Sequence, residues 1–138
     1  MEGHPRTAAD FNEIGTGRLP GHLGLDIVSV APDAVVARME LRPTHLTPHG
    51  FLHAASVVAL ADSACGYGCL AGLPEGDSFT TIELKANYLG TLTTGALSCA
   101  ARLVHGGRTT QVWDAEVTDE ASGRTLALFR CTQLLLSR

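Results

Sequence analysis

The stretch VVALADSACGYGC, residues 57–69, is the most apolar part of the chain, yet it contains a carboxylate. This is Asp62, the only formally charged residue between Arg42 and Glu75. The small residues around it predict a buried helix within the segment 53–73. A buried carboxylate is unfavourable unless it finds partners, takes up a proton or is needed for chemistry. We therefore consider Asp62 a candidate catalytic residue.

Runs with strand character lie on both sides of this helix. Upstream, GLDIVSV and DAVVARMELRP form a pair with a turn at 31–33. Downstream come FTTIELKANYLG, GALSCAARLVHG, TTQVWDAEVTD and RTLALFRCTQLLLS, with hairpin signals at HGGR (105–108) and DEASGR (119–124). This order predicts an α+β fold in which a curved antiparallel sheet wraps around one long central helix. We assign residues 21–138 to that single domain and residues 1–20 to an N-terminal arm, either a short helix or a loose segment.

The run FTTIELKANYLG, residues 79–90, alternates apolar and polar positions. The alternation predicts a half-buried strand, with Ile82, Leu84, Ala86 and Tyr88 on one face and Thr81, Glu83, Lys85 and Asn87 on the other. A strand of this kind at a sheet edge could pair with its own copy across a two-fold axis.

Composition excludes several classes of protein. The chain is 45% hydrophobic and 17% charged with a net charge of −4, so it has no basic surface for nucleic acid. The first 15 residues contain no apolar leader, and we expect a cytoplasmic protein. The apolar segment 53–73 is long enough to span a membrane, but Asp62 and its small residues favour a helix wrapped by protein. We expect buried free thiols at Cys65, Cys69, Cys99 and Cys131.

The helix and the segment before it contain the other candidate residues. At 3.6 residues per turn, one stripe of the helix carries Ala55, Val58 or Ala59, Asp62, Gly66 and Cys69, which leaves room for a ligand beside the carboxylate. Three histidines, His45, His49 and His53, precede or open the helix, but Pro48 and Gly50 predict a loop there, so we expect no metal site. The free backbone N–H groups at the helix start could instead hold an oxyanion.

LTPHGFLHAASVVALADSA, residues 46–64, resembles the N-P-x-G-x-x-H-G-G…A-D/E signature of hotdog-fold acyl-CoA thioesterases. The phenylacetate-degradation type, related to 4-hydroxybenzoyl-CoA thioesterase, is the group it is most similar to. The signature histidine lies nine residues before the acid, as His53 does before Asp62, and Gly50 matches the glycine three residues before that histidine. The resemblance extends over about residues 22–135.

The resemblance implies a mechanism. Asp62 would attack the thioester carbonyl or activate water, and the backbone N–H of Ala54 would hold the carbonyl oxygen. It also implies an acyl-CoA substrate, no cofactor, and a homodimer or homotetramer with sites between protomers. Thr80 and Thr81 would then reach the partner's Asp62. The catalytic positions are Asp62, Ala54, His53 and Thr47, and the substrate-binding positions are Gly50, Ala55, Gly66, Thr80, Thr81, Arg108 and Thr109.

The sequence departs from the family pattern in three places. Ala54 and Ala55 replace two glycines, which an amide donor tolerates only if the backbone φ is negative. Thr47 stands where the family has Asn or Gln, and Gly90 stands where a basic residue often contacts CoA phosphates. Two other functions therefore remain open: a non-catalytic acyl-thioester binding domain, which the altered positions would fit, and a hotdog hydratase or dehydratase that uses His53.

Overall fold

The computed structural model describes residues 3–138, and this part of the chain contains the predicted helix and six strands. The long helix spans Ala54–Gly72, within the predicted segment. Two short helices and a 3₁₀ turn, Pro43–His45, complete the structure. The elements are α1 (Ala8–Ile14), α2 (Leu19–Leu23), β1 (Leu25–Ala31), β2 (Ala34–Glu40), α3 (Ala54–Gly72), β3 (Ser78–Tyr88), β4 (Ala96–Gly106), β5 (Thr110–Asp119) and β6 (Thr125–Leu136).

The six strands form one antiparallel sheet in the order β1-β2-β4-β5-β6-β3, and α3 contacts every strand. The α+β prediction is confirmed, as are the turns between β1 and β2, β4 and β5, and β5 and β6. By length and composition alone α3 could cross a membrane, but its apolar side packs on the sheet, as in the core helix of a globular protein. The four cysteines are buried free thiols, as predicted.

Trp113 on β5 is the largest fully buried side chain, and its ring lies against Gly68 of α3. A Cβ at Gly68 would come within 2.4 Å of the ring, whereas a Cβ at Gly72 would meet no atom within 4 Å. Gly68 therefore makes room for the indole rather than for a ligand.

We expect Gly68→Ala to destabilise the protein and Gly72→Ala to leave it unchanged or slightly more stable. Overpacking costs about 1–3 kcal/mol, and the better helix propensity of alanine returns up to about 1 kcal/mol. Urea unfolding of the two variants would measure this difference. A Gly68→Ala variant as stable as Gly72→Ala would contradict the tight packing of Trp113.

Residues 6–14 of the predicted N-terminal arm pack against the domain predicted for residues 21–138. Phe11 of α1 is buried in the core and stacks on Tyr67 of α3, with ring centroids 4.5 Å apart. Arg6 donates to the carbonyl oxygens of Ala71 and Leu73, so it caps the end of α3. The boundary drawn after residue 20 falls inside α2 (Leu19–Leu23).

The two edges of the sheet differ in whether other parts of the chain cover their backbone groups. At the β1 edge, the side-chain amide of Asn12 accepts from the Ile27 N–H at 2.8 Å and donates to the Ile27 carbonyl at 3.0 Å. Helix α1 thereby occupies the Ile27 backbone groups, which a further strand would need. The β3 edge has no such cover in residues 3–138, and Ile82 and Leu84 are 57% and 41% exposed along it. The sheet therefore has one blocked edge and one open edge.

A bulge interrupts β3 between Thr81 and Glu83. Leu84, Ala86 and Tyr88 pair with the buried residues Cys131, Phe129 and Ala127 and so lie on the helix side, as predicted. Thr81 pairs with the buried Gln133 and also lies on the helix side, although strict alternation predicts the opposite face. The extra residue at the bulge changes the alternation, and this brings the Thr81 hydroxyl to α3.

Candidate active site

Asp62 lies half-buried in the middle of α3. Its Oδ1 accepts a hydrogen bond from the Thr81 hydroxyl at 2.9 Å, and no charged side chain among residues 3–138 forms an ion pair with it. Burial raises the pKa of Asp62, and the hydrogen bond from Thr81 opposes this rise more weakly. The carboxylate is therefore poorly solvated and more basic than an ordinary aspartate, which suits a general base or nucleophile.

The start of α3 presents one free amide. His53 is the N-cap residue, and its Nδ1 accepts from the Ala55 N–H at 2.9 Å. Ala54 is the first helical residue, so its N–H has no partner within the helix, and none occurs elsewhere in residues 3–138. Positive φ among non-glycine residues is confined to Asp33 in the described chain, so Ala54 and Ala55 meet the condition of a negative φ. The alanines thus leave the Ala54 amide available as an oxyanion donor.

The loop before α3 is held by its own hydrogen bonds. Thr47 Oγ1 accepts from the Phe51 N–H at 3.2 Å, and Gly50, with φ of 89°, turns the chain so that its N–H donates to the Thr47 carbonyl. Thr47 therefore shapes this loop, and its hydrogen bonds are not to Asp62.

His45 is a structural residue of the core. It is fully buried, its Nδ1 accepts from the Arg42 N–H, and its Nε2 lies 2.7 Å from the Leu23 carbonyl, to which it donates. Both ring nitrogens are thus engaged in tying the loop to α2. No group of three histidine, cysteine or acidic side chains that could hold a metal ion occurs within residues 3–138.

The expectation that Thr81 reaches the partner's Asp62 is wrong, since Thr81 contacts Asp62 of its own chain. The bulge after Thr81 accounts for this difference because it turns the hydroxyl to the inner face. Thr80, the preceding residue, is exposed at the beginning of the open edge strand.

Gly66 also differs from its expected role. A Cβ at this position would lie 2.7 Å from the ring of Phe79, so the aromatic ring already fills the space above Gly66. Gly66 itself is buried. The room expected along the stripe therefore narrows one turn after Asp62, and Phe79 rather than Gly66 would border a ligand there.

Two arginines lie near the positions considered for CoA. Arg108 and Thr109 are exposed in the β4–β5 hairpin, and the Thr109 carbonyl accepts from Leu135 N–H, which places the hairpin at the end of the sheet that contains Thr81. Arg108 makes no hydrogen bond or ion pair within residues 3–138. Arg124 donates to the Thr91 carbonyl, and a Cβ at Gly90 would lie 3.7 Å from its Nη1. A guanidinium group thus lies beside the position where the family has a basic residue.

Sequence reasoning missed Gln133, a fully buried polar residue on β6. Its Oε1 lies 2.9 Å from Thr81 Oγ1, and its Nε2 lies 3.4 Å from Cys131 Sγ. The signal was available, because Gln133 interrupts an alternating series of apolar residues, Ala127, Phe129, Cys131 and Leu135, on the inner face of the strand. A polar side chain in that series must find partners inside the protein.

Comparison with known proteins identifies the family of this chain. The sequence pattern of the thioesterase superfamily matches residues 49–126. A 1,4-dihydroxy-2-naphthoyl-CoA hydrolase from Listeria monocytogenes is 32% identical over 110 residues, covering 80% of this chain and 89% of its own. The acyl-coenzyme A thioesterase PaaI of Escherichia coli is 33% identical over 110 residues, covering 78% and 75%.

Solved structures give the same result. A thioesterase from Haemophilus influenzae superposes with a TM-score of 0.89 at 26% identity, covering 96% of this chain and 92% of its own. The E. coli PaaI structure gives a TM-score of 0.77 at 27% identity, covering 86% and 83%. This chain belongs to the thioesterase superfamily and has the hotdog fold. It is an enzyme of the thioester hydrolase class.

Proposed function

We propose that this protein hydrolyses an acyl-CoA thioester to a carboxylic acid and free CoA, with Asp62 as the general base or nucleophile. The observation that carries the proposal is the half-buried Asp62 carboxylate, which has a hydrogen-bond donor but no cationic partner in residues 3–138. Asp62 would remove a proton from water or attack the carbonyl carbon itself. The Ala54 amide would hold the oxygen as it becomes negatively charged.

The distance between these two groups supports a site made by two protomers. Ala54 and Asp62 are eight residues apart on one helix, which is about 12 Å along its axis. A base or nucleophile and an oxyanion donor must both lie within about 3 Å of the reacting group. Two such groups from one helix cannot serve the same carbonyl, so we assign them to different copies of the chain.

The open edge strand provides the pairing that would bring them together. Thr81, near the start of β3, contacts Asp62, and Tyr88, at its end, donates to the Ala54 carbonyl at 3.2 Å. Antiparallel pairing of β3 with its copy would place the start of one strand beside the end of the other. Asp62 of one protomer would then lie near the partner's Ala54, twice in each dimer.

The charges of the β3 residues, and the face of the sheet on which each residue lies, favour one register for this pairing. Residues that face each other across an antiparallel pair lie on the same face of the sheet. A two-fold axis at Leu84 would place Leu84 opposite its copy and Glu83 opposite the partner's Lys85 on both sides of the axis. An axis at Lys85 would oppose two lysines. We therefore propose a homodimer with its axis at Leu84; two such dimers could form a homotetramer.

The reaction is tested by measuring thiol release from a panel of thioesters. Relatives named for 1,4-dihydroxy-2-naphthoyl-CoA hydrolysis and the PaaI thioesterase suggest aromatic acyl groups. We expect release of CoA from 1,4-dihydroxy-2-naphthoyl-CoA or phenylacetyl-CoA to exceed that from acetyl-CoA. Tight binding of these thioesters without thiol release would contradict the hydrolase proposal and indicate a binding domain. The four free thiols fit a reducing compartment, and we propose a cytoplasmic location.

Arg108 is proposed to contact a CoA phosphate, and Arg108→Gln should raise KM with little change in kcat. The loss of one exposed charge contact corresponds to about a two- to five-fold rise in KM, smaller at high salt. Arg102→Gln is the matched control, because Arg102 is also exposed but lies beside Asp114 on the outer face of the sheet. Steady-state kinetics at two salt concentrations would measure both. Equal effects of the two substitutions would contradict a specific contact by Arg108.

A further inference from the structure

The Thr81 hydroxyl lies between two acceptor oxygens. Its Oγ1 is 2.9 Å from Asp62 Oδ1 and 2.9 Å from Gln133 Oε1. A hydroxyl group has one hydrogen, so it can donate to only one of them. In the other contact the Thr81 oxygen must accept a hydrogen bond, either from a protonated Asp62 or from the Gln133 amide. The protonation state of Asp62 decides which of the two is the donor.

Two complete arrangements are compatible with this geometry. When Asp62 is protonated, its O–H donates to Thr81, and Thr81 donates to Gln133 Oε1. When Asp62 is ionised, Thr81 donates to the carboxylate, and the Gln133 amide must turn over so that its N–H₂ donates to Thr81. Cys131, next to the other end of the amide, completes both states because a thiol can donate or accept.

We propose that Gln133 is a positioning residue for Asp62, acting through the Thr81 hydroxyl, and that its amide turns over as Asp62 gains or loses a proton. Gln133 is fully buried and cannot reach a substrate. In the ionised state its N–H fixes Thr81 as a donor to the carboxylate. In the protonated state the Gln133 oxygen accepts a hydrogen bond from Thr81, and Thr81 accepts one from Asp62, so the carboxyl group stays in place. The catalytic consequence rests on the proposed function, whereas the network itself does not.

The surroundings of Asp62 leave this network as its main polar contact. Thr81 is the polar side chain that reaches it from β3. On α3 itself, Cys65 lies close enough to interact with the carboxylate. A hydrogen bond between the Cys65 and Cys131 thiols, together with burial, raises the pKa of Cys65, so Cys65 remains neutral. No lysine, arginine or histidine in residues 3–138 forms an ion pair with Asp62. Its titration should therefore be governed by burial and by the Thr81–Gln133 pair.

The test is an NMR titration of the folded protein that follows the Asp62 carboxyl carbon and the Gln133 side-chain amide. Asp62→Asn and Gln133→Met assign the two signals. We expect both signals to move with the same midpoint. In Thr81→Val, which keeps the shape but removes the hydroxyl, the Asp62 midpoint should rise by about 1 pH unit and the Gln133 amide should stop responding. Thr81→Ser should restore both.

Gln133→Met provides a second readout. We expect the Asp62 midpoint, and with it the acidic limb of kcat/KM, to move to higher pH, because the ionised arrangement loses the donor that orients Thr81. KM should change little. A lower melting temperature with an unchanged Asp62 midpoint would mean that Gln133 only fills space, which would overturn the proposal. If Gln133→Met does not fold, the titrations of Thr81→Val and Thr81→Ser still test whether Asp62 and Gln133 are coupled.

Two further outcomes separate this proposal from the proposed function. A Gln133 amide that does not respond to Asp62, or that still responds in Thr81→Val through the electric field alone, would overturn the network. Coupled titration in a protein that hydrolyses no thioester would support the network and contradict the hydrolase proposal. Hydrolysis with uncoupled titration would do the reverse.

Discussion

Asp62→Asn is expected to lower kcat for thioester hydrolysis by about 10²-fold or more, because the amide can neither accept a proton from water nor attack a carbonyl. Asparagine keeps the shape and can still accept the hydrogen bond from Thr81. Its effect should therefore fall on kcat, with KM within a few-fold of the parent value. Thiol release from the best acyl-CoA of the panel would measure both constants.

The same substitution should make the fold more stable at neutral pH. The pKa of Asp62 is raised in the folded state, so stability falls as pH rises from the unfolded value of about 3.8 through the folded pKa, and the cost of the buried charge remains above it. A neutral amide at this position would not carry this cost. We expect a higher melting temperature at pH 7 for Asp62→Asn, and a difference that shrinks toward pH 4.

Asp114→Asn is the control for this pair of measurements. Asp114 lies on the outer face of the sheet, where Arg130 and Arg102 lower its pKa. Its loss should leave kcat unchanged and should not stabilise the fold. Retention of activity in Asp62→Asn within a few-fold of the parent would remove Asp62 from the mechanism.

Leu84→Glu is expected to break the dimer and the activity together. The proposed axis at Leu84 would place two glutamates opposite each other, and opposed like charges cost several kcal/mol, which raises the dimer dissociation constant by about 100-fold or more. A monomer would lack the partner's Ala54 amide beside Asp62. Light scattering and thiol release at matched concentrations should show both losses at once.

The opposite edge provides the matched control. Val28 on β1 is 52% exposed, close to the exposure of the β3 edge residues, and Val28→Glu should leave both assembly and activity unchanged. The register is tested by charge exchange. Lys85→Glu should weaken the dimer, and Glu83→Lys added to it should restore the dimer. A fully active monomer of Leu84→Glu would contradict the shared site.

The order and type of the main elements were predictable because they depend on local periodicity. The apolar helix and the alternating strands each bury one face, and the spacing of apolar residues along the sequence shows which face that is. The helix start was also visible, since a signature histidine followed by an apolar run is the N-cap in the structure. Helix α1 could have been found from Thr7 and Asp10, whose side chains form a capping box.

The details of the site depend on contacts between distant residues and were not predictable in the same way. The position of Thr81 depends on a bulge that alternation does not reveal. The space above Gly66 depends on which ring the sheet brings to it, and that ring is Phe79, from the next strand. Gln133 acquires its importance only when β6 places it beside Thr81. Small residues in a helix mark a close approach without identifying the neighbour.

The amide of Asn12 has a consequence for the size that an assembly can reach. In polymer chemistry, a unit with two reactive ends grows without limit, whereas a unit with one reactive end stops after a single coupling. Asn12 occupies the Ile27 backbone groups and makes this sheet a unit of the second kind. The proposed pairing at β3 would consume the remaining end, and the continuous sheet would then terminate at two chains rather than extend into a fibre.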